Sequence, residues 1–206
     1  MDKKILLRVW PEFGSTGIWM PPIACEPPAG TNVSYKSLEL PNDLVDAFTQ
    51  WQERYNDRPL PDDGTFDWES FNKEGLVLSK KLKMHMLDKA DVEYTLDNKF
   101  QKIYAFKVMA DYMASLWSDD SSCCALEDIE EKLQGYSIPE RDALQKRFDG
   151  WEKSFDNVAL HNEGWIPFNQ EGEDLVKELQ SRLPWYCVVF YEKAYEEEYP
   201  QWWKKE

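Results

Sequence analysis

The side chains best suited to chemistry in this chain are carboxylates: 39 Asp and Glu stand against 24 Lys and Arg and only 2 His in 206 residues. Glu12 and Asp111 each follow an apolar run (Val9-Trp10 and Val108-Met109). Paired acids placed in this way are what general acid–base hydrolysis needs, although a loop acid that caps a neighbouring backbone is the plainer role for both. Asp62-Asp63 and Asp119-Asp120 are adjacent acids, but no calcium-loop spacing surrounds them. His85 is expected late in a helix, where a cation complements the negative end, and His161 in a loop between helices. No His-x-x-x-His, Cys-x-x-Cys, phosphate-binding glycine loop or Gly-x-Ser-x-Gly elbow occurs. Cys25, Cys123, Cys124 and Cys187 have no metal-type spacing, and the adjacent pair is poorly suited to a mutual disulfide. The expectation is a reduced cytoplasmic protein that is not an enzyme, with no catalytic residue, cofactor or metal to assign.

The acids make better sense as a binding surface. A formal charge of −15 argues against direct contact with nucleic acid, whose phosphates must be neutralised by Lys and Arg, and it suits a basic protein partner. Residues 1–98 carry 17 acids and 11 bases, and residues 99–206 carry 22 and 13, so the second half is the more acidic. Its first cluster is Asp119, Asp120, Glu127, Asp128, Glu130 and Glu131; its second is Glu192 with Glu196, Glu197 and Glu198. Residues 119–122 are expected to cap a short helix that ends at Gly135. Leu126, Ile129 and Leu133 form one apolar stripe on that helix, so its carboxylates should face outward. The tail adds Tyr195, Tyr199, Trp202 and Trp203, aromatics of the kind that anchor interfaces; docking onto its own domain is the other reading of the tail. The candidate partner-binding set is Asp111, Asp119, Asp120, Glu127, Asp128, Glu130, Glu131, Glu196, Tyr199 and Trp202.

The elements that must position these residues are stated twice in the sequence. Phe71, Gly75, Leu78, Leu82 and Met86 fall at helical spacing, and Phe168, Gly172, Leu175, Leu179 and Leu183 repeat the pattern 97 positions later. A glycine inside a helix costs about 1 kcal/mol relative to alanine, so its recurrence implies a close approach by another element. Leu44, Phe48, Trp51 and Tyr55 are matched 100 positions later by Leu144, Phe148, Trp151 and Phe155. Residues 3–10 read as a buried strand closed by Pro11, residues 20–40 as mostly loop, and residues 57–66 as a loop between two helices, the first beginning near Pro41. Val92–Leu96 and Phe100–Met109 read as a hairpin turned by Asp97-Asn98, and residues 185–191 as a final strand. The expected fold is α+β: a tandem duplication of a strand-helix-helix-strand unit (1–98 and 99–206), with helices packed on a shared antiparallel or mixed sheet.

The N-terminal run Ile5-Leu6-Leu7 is far short of the roughly 7–15 apolar residues of a secretory signal. No run reaches the ~18 that span a membrane.

Val9-Trp-Pro-Glu-Phe13, Ile18-Trp19, Trp51 and Phe71-Asn-Lys-Glu-Gly-Leu76 resemble the pattern of immunity proteins encoded beside bacterial polymorphic toxins, of the contact-dependent or type VI kind. The second half keeps part of the pattern, with Ala110 in place of Pro11 and Glu173 in place of the leucine after the glycine. The resemblance implies a cytoplasmic protein that binds and neutralises one cognate, basic, nuclease-type toxin domain. Two rivals use the same acids. An inhibitor that mimics nucleic acid would target a DNA-binding or defence protein. A carboxylate hydrolase would place Glu12 or Asp111 in a pocket.

Overall fold

The computed structural model describes residues 4–21, 30–61, 63–96, 99–111, 114–161 and 163–193. Cys25, Asp62, the Asp97-Asn98 turn and the tail residues Tyr195, Glu196, Glu197, Glu198, Tyr199, Trp202 and Trp203 lie outside them. The fold is α+β, with seven strands and five helices among the described residues. The strands are β1 (Ile5–Val9), β2 (Ile18–Met20), β3 (Thr31–Asn32), β4 (Ala90–Leu96), β5 (Lys99–Val108), β6 (Leu116–Ser118) and β7 (Cys187–Tyr191). The helices are α1 (Asn42–Asn56), α2 (Trp68–Met86), α3 (Leu126–Lys132), α4 (Arg141–His161) and α5 (Trp165–Arg182). The hydrogen-bonded order is β3-β2-β1-β4-β5-β6, with β7 on β5. The sheet is mixed: β1 and β4 run parallel, with Val9 beside Tyr94, whereas β4 and β5 run antiparallel, with Val92 beside Ile103. Two compact units, Met1–Ala105 and Phe106–Glu206, divide within β5.

In the first unit the apolar stripe of α2 lies on β4, and α1 packs beside α2. Leu44, Phe48 and Trp51 of α1 and Phe71, Leu78 and Leu82 of α2 are all buried. Trp51 stacks on Phe71 with ring centroids 4.8 Å apart, and its Nε1 donates to the Phe71 carbonyl at 3.1 Å. Gly75 is the close approach that the sequence implied: a Cβ there would lie 2.8 Å from Trp51 Cζ2 and 2.8 Å from Tyr94 Oη. Tyr94 donates to the Asn72 carbonyl at 3.0 Å, and burial raises its phenol, so it remains a donor.

In the second unit α4, α5 and β7 use the same kinds of contact. Trp151 stacks on Phe168 at 4.8 Å and donates to its carbonyl at 2.9 Å. A Cβ on Gly172 would lie 2.7 Å from Trp151 Cζ2 and 2.5 Å from Tyr191 Cε2. Tyr191 donates to Asn169 Oδ1 at 2.7 Å, its phenol pushed up to about 12 by burial first and by Glu173 second. The strand ends agree as well, since Trp19 Nε1 donates to the Trp10 carbonyl at 3.0 Å and Trp117 Nε1 to the Met109 carbonyl at 2.9 Å.

Several local expectations are corrected. The first strand is half-buried: Leu7 and Val9 are buried, whereas Leu6 and Arg8, which the period of two turns to the opposite face, are only partly covered, and Ile5 at the strand's start is exposed. Pro41 is the residue before α1 rather than its first turn, and α2 begins three residues before Phe71, capped by Asp67 accepting from Ser70 N at 3.0 Å. His161 ends α4 instead of sitting in a loop. His85 Nε2 meets the Leu38 carbonyl at 3.2 Å, on a 3-10 turn at Tyr35–Leu38, so the carbonyls at the end of α2 fall to another residue. That residue is Lys83, which is fully buried and donates to the Leu87 carbonyl just past the helix.

Candidate functional site

The acidic ridge begins where β6 runs out. After Ser118 the chain turns through Asp119–Ser122 and regains the sheet at Cys123, which bridges to Trp117. Asp120 drives the turn: it accepts from the Ser118 hydroxyl, from Ser122 N at 3.1 Å and from Ser122 Oγ at 2.5 Å. Burial alone would raise its carboxyl. The three hydrogen bonds and the Lys132 charge outweigh that and hold it well below the usual carboxylate range. Lys132 reaches back from α3 to Ser118 Oγ at 2.9 Å, Asp119 at 3.3 Å and Asp120 at 3.4 Å. Asp119 is 5% exposed and therefore lies inside the turn rather than on a binding face. Residues 119–122 thus close a turn, and α3 is capped from within: Asp128 accepts from Ala125 N at 2.6 Å.

Other predicted contacts are also used internally. Glu130 takes Ile138 N at 2.7 Å and Arg141 Nη1 at 2.8 Å, clasping the segment after α3 to the start of α4. The backbone bond from Ile138 is the main reason its carboxyl is lowered. Asp111 caps its own turn, accepting from Ala114 N at 3.0 Å. Glu12 offers its backbone carbonyl to Gln52 Nε2 at 2.5 Å and to Ser15 Oγ at 2.9 Å. Asp63 closes a turn on Thr65, from N at 3.0 Å and Oγ1 at 2.6 Å.

Glu127 and Glu131 fulfil the outward expectation. Both are exposed on α3, whose Leu126, Ile129 and Leu133 are buried, and neither makes an ion pair among the described residues. Glu196, Tyr199 and Trp202 lie outside the described residues. No group of three His, Cys, Asp or Glu is placed to hold a metal among the described residues, and no helix there is long and apolar enough to cross a membrane.

The ridge also sets the behaviour of two thiols. Cys123 is exposed. The Cys124 thiol is pushed up to about 12, by burial first and then by Asp128, and Lys132 only partly offsets this. Because the thiolate is the nucleophile, iodoacetamide near pH 8 should alkylate native Cys123 and spare Cys124, and unfolding should make both react. Fragment-ion mass spectrometry reads the two sites separately; equal native rates would refute the buried environment of Cys124.

A second feature escaped the sequence reading. In the second unit an open groove of about 540 Å³ runs between α4 and α5, over Trp151 and Phe168, with Arg147, Ser154, Glu163 and Glu171 around it. Arg147 pairs with Glu171 at 2.6 Å and also with Glu178. The signal was available in the helical alignment: where the first unit has Arg54 and Phe66, the second has Ser154 and Glu163.

Compared with protein-family models, curated protein sequences and solved structures, the chain matches none.

Proposed function

We propose that this protein acts in the cytoplasm as an immunity-type inhibitor, binding and neutralising a basic toxin domain through the acidic face of its second unit. The observation that carries the reading is a surplus of 15 negative charges, with Glu127 and Glu131 held exposed and unneutralised on a helix that its own neighbours lock in place. Carboxylates so fixed pair with the Lys and Arg that a nuclease uses for phosphates, which speeds encounter and covers the toxin's cleft. Asp111, one of the two acids a hydrolase would need, caps its own turn, and Asp119, Asp120, Asp128 and Glu130 hold a turn, a cap or a clasp, which leaves Glu127 and Glu131 as the contact carboxylates of this face. The matching Trp–carbonyl, glycine and tyrosine contacts of the two units support descent from one duplicated strand-helix-helix-strand unit, whose second copy took on the interface.

The test is capture of partners from the organism's own lysate, followed by association kinetics with the purified partner. The expected partner is a single basic toxin domain. Its association rate should fall by roughly ten- to a hundredfold as ionic strength rises from about 0.1 M to about 1 M, where the screening length drops from about 10 Å to about 3 Å. Glu131→Lys should slow association without lowering stability, and Glu127→Lys, in the first turn of α3, should slow it at a stability cost of under about 1 kcal/mol, whereas Asp120→Asn and Glu130→Gln should lower stability more. Salt-independent association, or recovery of a DNA-binding host protein instead, would sink this reading.

A further inference from the structure

The groove over Trp151 and Phe168 is a place that the first unit fills with its own side chains. There, Phe66 packs on Phe71 at 5.3 Å and on Trp68 at 4.8 Å. The Arg54 guanidinium lies 5.8 Å from the Phe71 ring centre and pairs with Glu74. An aromatic face beneath a cation and a carboxylate beside it together form a complete arginine seat. The second unit keeps the seat and lacks the occupant. Phe168 stands for Phe71 and Glu171 for Glu74, but Ser154 replaces Arg54 and Glu163 replaces Phe66. Glu163 is exposed and makes no ion pair among the described residues. One oxygen of Glu171, Oε1, is taken by Arg147 from a different turn of α4.

We infer that this groove receives an arginine side chain of the protein partner, its guanidinium laid over Phe168 between Glu163 and Glu171. The identification of the donor as a basic protein rests on the function proposed above; the chemistry of the seat does not. Charge selects the guest, since the carboxylates of Glu163 and Glu171 outnumber the single guanidinium of Arg147 in the lining of the groove. Shape selects arginine over lysine, because a planar guanidinium stacks on a ring and bonds a carboxylate in its own plane, whereas an ammonium does one or the other.

The inference is testable without any toxin. Isotope-labelled protein is titrated with N-acetyl-argininamide while the indole N–H signals of Trp151 and Trp51 are followed. The Trp151 signal should shift saturably and that of Trp51 should remain still. N-acetyl-lysinamide should bind about threefold more weakly or worse. Ser154→Arg, which places a guanidinium where the first unit carries one, should weaken the probe about tenfold. Glu163→Gln should weaken it about threefold and serves if Ser154→Arg loses its dispersed spectrum. A still Trp151 signal, equal response to the lysine probe, or undiminished binding in a folded Ser154→Arg protein overturns the inference. Such a failure leaves the acidic helix as the toxin contact, while absence of a toxin partner leaves the arginine seat standing.

Discussion

Trp51→Ala is expected to cost about 3–5 kcal/mol of folding stability, read as a drop in urea midpoint at unchanged slope. Three observations set the size. The side chain is fully buried, stacked on Phe71 and edge-on to Phe48 at 6.4 Å. Its indole N–H is bonded to the Phe71 carbonyl, so truncation removes a hydrogen bond as well as area. Two backbones also close on the ring: a Cβ on Gly17, which sits at φ +76°, would lie 2.8 Å from Trp51 Cζ3, and one on Gly75 would lie 2.8 Å from Cζ2. Neither wall closes easily on the void without moving the β1–β2 turn or α2. The same geometry fixes the sign of Gly75→Ala. Overpacking of about 1–3 kcal/mol exceeds the gain of about 1 kcal/mol in helix propensity, because the atoms met belong to rings that are themselves held. Since Trp51 is half of that collision, the cost of Gly75→Ala should shrink in the Trp51→Ala background. Additive effects within about 0.5 kcal/mol would show that the glycine is present for another reason.

What could be read from sequence and what could not follows from where the information sits. Leu44, Phe48 and Trp51 were legible because burial of a helix face repeats every third or fourth residue, and the structure buries all three. The glycines were legible because a costly residue recurred at one register. Lys83 was not, because hydropathy places a lysine outside, and only the fold shows two carbonyls converging on its ammonium. The acidic cluster was half legible. Composition marks Asp119–Glu131 as charged, but whether each carboxylate faces solvent or its own backbone is decided by partners such as Ala125 N, Ile138 N and Lys132, brought together only by the turn. Glu127 and Glu131 remained outward because their positions on α3 oppose Ile129 and meet no such donor. The groove stayed hidden for a different reason: it is made by what Ser154 and Glu163 fail to fill, and motif spacing counts only what is present.

Lys83→Met should be strongly destabilising, by about 2–4 kcal/mol, although it trades a buried charge for an apolar chain of similar length. The opposite result has precedent in principle, since replacing a buried ion pair with packed hydrophobic residues is neutral or stabilising in a number of proteins. The decision turns on which atoms hold the ammonium. Lys83 Nζ is 3.8 Å from Asp91 Oδ1, at the far limit of an ion pair, and Asp91 is already held by Lys102 at 3.0 Å. Two close contacts are carbonyls: Leu87 O at 3.0 Å and Ala90 O at 2.8 Å. These belong to the residue just after α2, at φ 36°, and to the first residue of β4, so the ammonium stitches a positive-φ helix exit to the strand that follows. Methionine fills the space but satisfies neither oxygen, and each orphaned buried acceptor costs about 1–3 kcal/mol. Lys83→Ala should cost more, adding a cavity to the same loss. Asp91→Asn should change stability by less than about 1 kcal/mol, because the carboxylate is a third exposed and peripheral to the stitch. Thermal unfolding of the three variants separates the accounts. A methionine variant as stable as the parent would show that the two carbonyls do not need the ammonium, and an asparagine variant as damaged as the methionine one would mean that charge pairing with Asp91 keeps Lys83 inside.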